Sequence, residues 1–135
     1  MSRQDLKWVF SDAQAITSVG DTDGTDTVDI GRTSPRIGGG TPLWFNAVVN
    51  TLFTSSGSAT LLAKIEHGTT NALGTTLVSG VAIAKASLTA GKVLLSVPLP
   101  PECLRHIGAV FTVGVSAMTA GKVDAWIGTS PVYDP

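Results

Sequence analysis

The 135-residue chain carries nine Lys or Arg against ten Asp or Glu, a net charge of −1, with 43% hydrophobic and only 14% charged residues. A chain of this size buries roughly two thirds of the surface its unfolded form exposes, so one domain over residues 1–135, with a core at 6–127, is expected to fold without metal or disulfide. Basic residues scattered from Arg3 to Lys122 form no stripe that would release counterions from a phosphate backbone, and nucleic acid is excluded as a partner on that ground.

Met1 to Asp5 leads into no apolar run. The longest nearly apolar stretch, Ile107 to Val115, is half of the roughly 20 residues that a membrane span requires, so synthesis in the cytoplasm and no membrane partner are expected. Leu6 to Phe10 reads as a first short strand. The next segment concentrates Asp21, Asp23, Asp26 and Asp29. Its Asp21-Thr22-Asp23-Gly24 misses the calcium-loop spacing and no Glu closes it; Asp is an ordinary turn former, so a solvated hairpin loop is expected, with calcium the less economical alternative. Thr27 to Ile30 is a second short strand, and Arg32 to Pro42, with three consecutive glycines, an extended loop.

From Leu43 onward the apolar residues keep a two-residue period, the mark of strands with one buried face. Leu43, Phe45, Ala47, Val49 and Phe53 alternate with Asn46 and Asn50. Leu61, Ala63 and Ile65 do so within Ala59 to His67, and Val93, Leu95, Val97 and Leu99 within Lys92 to Leu99. In His106 to Ala117 the inward set is Ile107, Ala109, Phe111, Val113 and Val115. Val123, Ala125 and Ile127 alternate with Lys122, Asp124 and Trp126 in a final strand. Between Thr75 and Leu88 the signal is mixed: Ala82, Ala84 and Ala86 tolerate a helix, whereas Gly80, Val81 and Ile83 favour one or two extended pieces. The segment Thr89-Ala90-Gly91-Lys92-Val93 recurs at Thr119-Ala120-Gly121-Lys122-Val123, each time ahead of an alternating run, and its glycine suits a positive φ. Pro98, Pro100 and Pro101 force a corner, and Gly128 to Pro135 reads as an extended tail. The sum is an all-β, eight-stranded antiparallel β-sandwich, jelly-roll-like, with an extended N-terminal arm and C-terminal tail.

Motifs for chemistry are sparse. Neither Gly-Lys pair has the spacing of a phosphate loop, and both lead into strands rather than helices. Cys103 and His106 supply two of the four ligands that zinc requires. His67 and His106 are the only histidines and Glu66 and Glu102 the only glutamates, and no Gly-x-Ser-x-Gly elbow is present. No enzyme and no cofactor are expected; a catalytic constellation would have to be assembled from Asp12, His67, Glu102 and His106. Trp44 and Trp126 fall on the even face of their strands, opposite the apolar set. There they either anchor a partner or pack beneath a loop or a second sheet.

Five ordered segments resemble the capsid cement, or decoration, proteins of tailed bacteriophages. They are Phe10-Ser11-Asp12-Ala13-Gln14-Ala15-Ile16-Thr17, Val28-Asp29-Ile30-Gly31, Gly57-Ser58-Ala59-Thr60-Leu61, Leu88-Thr89-Ala90-Gly91 and Thr119-Ala120-Gly121-Lys122-Val123, and the resemblance in their order and spacing covers roughly residues 10–128. The resemblance implies a jelly-roll-like virion protein on the outer surface of the head, made in the host cytoplasm. It also implies self-association, a homodimer ahead of a homotrimer, and bridging of major capsid protein subunits. Trp8, Arg36, Trp44, Arg105 and Trp126 are the expected oligomer or capsid contacts. Strand pairing by Ser2 to Val9 or by the tail after Ile127 is a route to the shell. The alternative is a virion module that binds carbohydrate or a host surface through its tryptophans.

Overall fold

The computed structural model describes residues 9–25, 27–29, 43–68, 70, 73–99 and 106–128. These residues form ten strands: β1 (Val9–Ala15), β2 (Gly20–Asp23), β3 (Val28–Asp29), β4 (Trp44–Thr54), β5 (Thr60–Gly68), β6 (Thr75–Ser79), β7 (Ile83–Ala84), β8 (Val93–Pro98), β9 (His106–Gly114) and β10 (Ala120–Gly128). Among the described residues there is one 3-10 turn, Lys85–Ser87, which follows β7, and no α-helix. Ala84 is therefore extended, in β7, as the β-branched Val81 and Ile83 favour, whereas Ala86 falls in the 3-10 turn. The N-terminal arm and the C-terminal tail lie outside the described residues.

One sheet has the order β1-β10-β4-β8; the other has the order β2-β9-β5-β6, with β3 also on β9 and β7 also on β5. Every pairing is antiparallel. With the two-residue strands β3 and β7 set aside, eight strands remain and their pairing is nested. The first pairs with the last (β1 with β10), the second with the next to last (β2 with β9), then β4 with β8 and β5 with β6. This is a long antiparallel ribbon folded over on itself into two layers, the jelly-roll connectivity.

The alternating residues meet between the layers. Phe10, Phe45, Phe111, Leu61, Ile65 and Ile107 are fully buried, and the rings of Phe10 and Phe45, one from each of two strands of the four-stranded sheet, lie 5.4 Å apart at 52°. Each such side chain contributes about 1.5 to 3 kcal/mol on burial, and a tilted aromatic pair adds about 1 kcal/mol. Ile107, Ala109, Phe111 and Val113 bury as the period predicts, and so do Val123, Ala125 and Ile127.

The departures from strict alternation have local causes. In β8 the register against β4 slips between Ala47 and Val48, so Leu94 enters the core while Val93, Leu95 and Val97 are half-buried. Val115, expected inward, is 76% exposed. It has a φ of 71° and the amide of Ser116 donates to the carbonyl of Gly114 at 2.8 Å. That is a γ-turn of the rare positive-φ kind, and it throws the side chain outward. The first strand runs through the polar stretch Ser11 to Gln14 because it bulges twice, after Val9 and after Ser11. Ala13, at a φ of 50°, donates its amide to the Asp124 carboxylate at 2.7 Å. Gly20 to Asp23, expected as loop, is strand β2, paired along β9 from Val113 to Val110.

Both repeated turns use their glycine as the sequence predicts, with φ of 90° at Gly91 and 140° at Gly121. At Gly121 a second constraint acts: a Cβ there would overlap the ring of Phe53. Gly121→Ala is expected to lower the unfolding free energy by about 2 to 4 kcal/mol in urea titrations, because it combines a disfavoured φ with overpacking against a buried ring.

Candidate contact surfaces

The outer face of the six-stranded sheet carries the few charges that strand alternation leaves there. Lys64 on β5 lies 3.5 Å from Asp21 on β2 and 3.9 Å from Glu66 on its own strand. Between β2 and β5 runs β9, whose Thr112 donates its hydroxyl to Asp21 at 2.6 Å. That hydrogen bond, opposed by partial burial and assisted by the Lys64 charge, holds the Asp21 carboxyl below its ordinary value of 3.8. The acidic segment is thus a charged edge strand whose first carboxylate already has partners. Asp26 and the Asp29 side chain lie outside what is described, and among the described residues no three His, Cys, Asp or Glu side chains gather as a metal group.

A second polar cluster fastens the bulged strand β1. Asp124 accepts from the Ala13 amide with one oxygen and from Asn50 Nδ2 with the other, at 2.7 and 3.0 Å. Gln14 Nε2 donates to the Asp23 carbonyl at 2.8 Å, and Gln14 Oε1 accepts from Ser11 Oγ at 2.6 Å and from the Thr25 amide at 3.0 Å. These side chains tie the two sheets together at the edge formed by β1 and β2. They are structural ties and explain why the polar run Ser11 to Gln14 sits in a strand.

Of the expected contact residues, Trp8, Arg36 and Arg105 lie outside the described residues. Trp44 is half-buried at the start of β4, with Pro98 and Gly128 as its ladder partners. Trp126 is only 5% exposed, so it packs within its own chain and is no solvent-side anchor. Asn46, its ladder partner, is completely buried and accepts the hydroxyl of Ser96 at 2.7 Å. An aromatic platform built on Trp44 and Trp126 is therefore not present on the surface.

Exposed apolar side chains lie elsewhere: Val19, Leu52, Val81 and Val115. Val19 immediately precedes β2, and Val115 follows β9, its ladder partner; Gly20 faces Val113. The two valines therefore lie at one end of the sandwich. Here too Met118 donates its amide to the Thr17 carbonyl at 2.9 Å and Ser55 its hydroxyl to the Ala117 carbonyl at 2.7 Å. A sequence pattern cannot reveal this feature, since Val115 continues the inward series until the γ-turn reverses it.

Of the groups that chemistry would use, the two histidines lie one ladder step apart on paired strands and Asp12 is on the other sheet. Asp12 is exposed on β1 in the four-stranded sheet, whereas His67 and His106 are on β5 and β9 of the other sheet, where His67 faces Ile107. Glu102 and Cys103 lie outside the described residues. A cavity of about 60 Å³, room for a few waters, is lined by Asp23, Gly24, Thr27, Leu73, Gly108, Ala109 and Val110. Its one charged lining residue is Asp23, and Leu73 closes over Gly108, where a Cβ would overlap it.

Residues 10–127 match the protein family Bbp16. No curated protein matches the chain.

Two outcomes follow from these surfaces. Because the folded-state value of Asp21 is depressed, its contribution to stability is present above about pH 4 and is lost as the pH falls through the folded value. Asp21→Asn should flatten the stability profile in that acid range while leaving neutral-pH stability within about 0.5 kcal/mol, as exposed pairs contribute little. At the γ-turn, Val115→Gly should raise the unfolding free energy by about 1 kcal/mol by removing backbone strain, measured by thermal denaturation of the free protein.

Proposed function

The chain belongs to the Bbp16 family, and for this member of it we propose a structural role in a phage virion. In this reading it is a cement or decoration protein on the outside of the head, where it self-associates, bridges major capsid protein subunits and stabilises the shell. The observation that carries the reading is where the five resembling segments fall in the fold. Phe10 to Thr17 supplies most of the doubly bulged β1, and Val28 and Asp29 form β3. Gly57 to Leu61 turns into β5, Leu88 to Gly91 is the turn ahead of β8, and Thr119 to Val123 leads into β10. They are spread through both sheets, so the resemblance follows the whole sandwich rather than one hairpin.

The physical requirements of the role fit the chain. A protein that binds a repeating shell at many copies needs only modest affinity at each site, because several contacts engage together. A surface poor in charge loses little when it is desolvated against a neighbour, and exposed Val19, Val81 and Val115 supply apolar area for such contacts. Binding the assembled shell but not its separate subunits shifts the equilibrium toward the assembled state. The alternative, a carbohydrate-binding module, loses its main support with the burial of Trp126.

Virions of the encoding phage should contain this chain in stoichiometric amount relative to the major capsid protein, read by quantitative mass spectrometry of purified particles. Particles assembled without it should release DNA at a lower temperature in a dye-access melt. Particles that lack the protein in the wild type, or heat resistance unchanged by its removal, would overturn the proposal.

A further inference from the structure

The open edges of a β-sandwich are templates for strand addition, and soluble proteins blunt them with charges, bulges or proline. Among the described residues the two sheets present four edges, and three of them are blunted in these ways. β1 bulges twice and is held at Ala13 by Asp124; β2 is four residues long and carries Asp21 and Asp23; β8 ends on Pro98 and is preceded by Lys92. The fourth edge, β6 with β7, has neither charge nor proline from Leu73 to Ala84, and Val81 between the two strands is 72% exposed.

That edge is also symmetric about its own centre. The register of β6 against β5 slips between Ile65 and Glu66, so that Val78 faces Ile65 and Thr76 faces Glu66, with Leu77 as the additional residue. Leu77 and Val78 consequently both pack against the core, while Thr76 and Ser79, level with Glu66 and Lys64, are exposed. The tetrapeptide Thr76-Leu77-Val78-Ser79 thus reads hydroxyl, apolar, apolar, hydroxyl in both directions, and its side chains face out, in, in, out. A regular strand cannot have this property, because adjacent residues would take opposite faces. Gly80 donates its amide inward to the Ala63 carbonyl at 2.9 Å. By alternation the amide and carbonyl of Ser79 point away from β5, out of the edge.

We propose that the β6 edge is a two-fold interface between copies of this chain, in which two β6 strands pair antiparallel about the Leu77–Val78 bond and join two six-stranded sheets into one. Each Thr76 then lies opposite Ser79 of the partner subunit on the outer face, and each Leu77 opposite Val78 of the partner subunit on the core side. Both kinds of pair are favourable across strands, and no like charges meet. A two-fold contact must be self-complementary, which this segment is and the acidic edge of β2 is not. The inference gives a place to the self-association in the functional reading above and rests on that part of it.

The test is the oligomeric state of the purified full chain by sedimentation equilibrium between 1 and 100 μM (on the order of the range in which modest interfaces dissociate), with folding checked by circular dichroism. Wild type should be a dimer. The double variant Thr76→Lys, Ser79→Lys sets lysines opposite each other twice and should weaken dimerisation by about tenfold or more. Thr76→Lys with Ser79→Glu sets opposite charges across the same pairs and should restore it. A wild type that is monomeric throughout, or a dimer indifferent to the lysine pair while folded, overturns the interface. So does pairing of β6 with a strand of the shell protein in place of its own copy, seen as monomers that become protected only on heads. None of these outcomes bears on whether the chain is a virion component, which particle composition decides separately.

Discussion

The fold depends on closing its two ends against each other. β1 and β10 pair across the whole length of the ribbon, and the hydrogen bond from the Ala13 amide to Asp124 spans 111 residues of sequence. Until that contact forms, β10 lacks one of its two neighbours and the four-stranded sheet is missing its outer strand. Long-range closure carries a large entropic cost that must be met before the contacts reward it, so folding is expected to be slow relative to helical proteins of the same size. The doubly bulged β1 is the form this closure takes. Its polar residues stay in the sheet because Ser11 donates to Gln14, and Gln14 in turn bonds the Asp23 carbonyl and the Thr25 amide, while Asp124 holds the Ala13 amide between them.

Where a strand buries one face and meets water on the other, its position was legible from residue spacing. Phe45, Ala47 and Val49 in β4 and Leu61, Ala63 and Ile65 in β5 face the core as the two-residue period requires. Reading failed where the period carries no information. β2 is an edge strand whose Asp21 finds its partners, Thr112 and Lys64, on strands far away in sequence. The slip that buries Leu94 and the γ-turn that exposes Val115 are backbone events, and an alternating pattern is blind to both. Trp126 on the even face could be a surface anchor or a packed residue; only tertiary structure distinguishes them. The β6 segment is hardest of all, because its bulge sets neighbouring Leu77 and Val78 on one side, which looks in sequence like no period whatever.

The candidate surfaces follow the same division. Glycines at the repeated turns and the shortage of charge were visible in the composition, and both recur in the structure as tight corners and as a nearly neutral sheet edge. The described surface carries mainly hydroxyls, four exposed large apolar side chains and a few charges. Asp21, Lys64 and Glu66 form a shared row rather than separate free charges, so even the charged part of the outer face presents a muted field to a neighbour.

The nested pairing has a topological corollary. Val9 at the start of β1 is the ladder partner of Trp126 near the end of β10, so the ribbon enters and leaves the sandwich about 5 Å apart. A linker of a few residues joining these points, with new termini opened elsewhere, would preserve every strand neighbour. The sandwich is in this sense a closed circuit of strands.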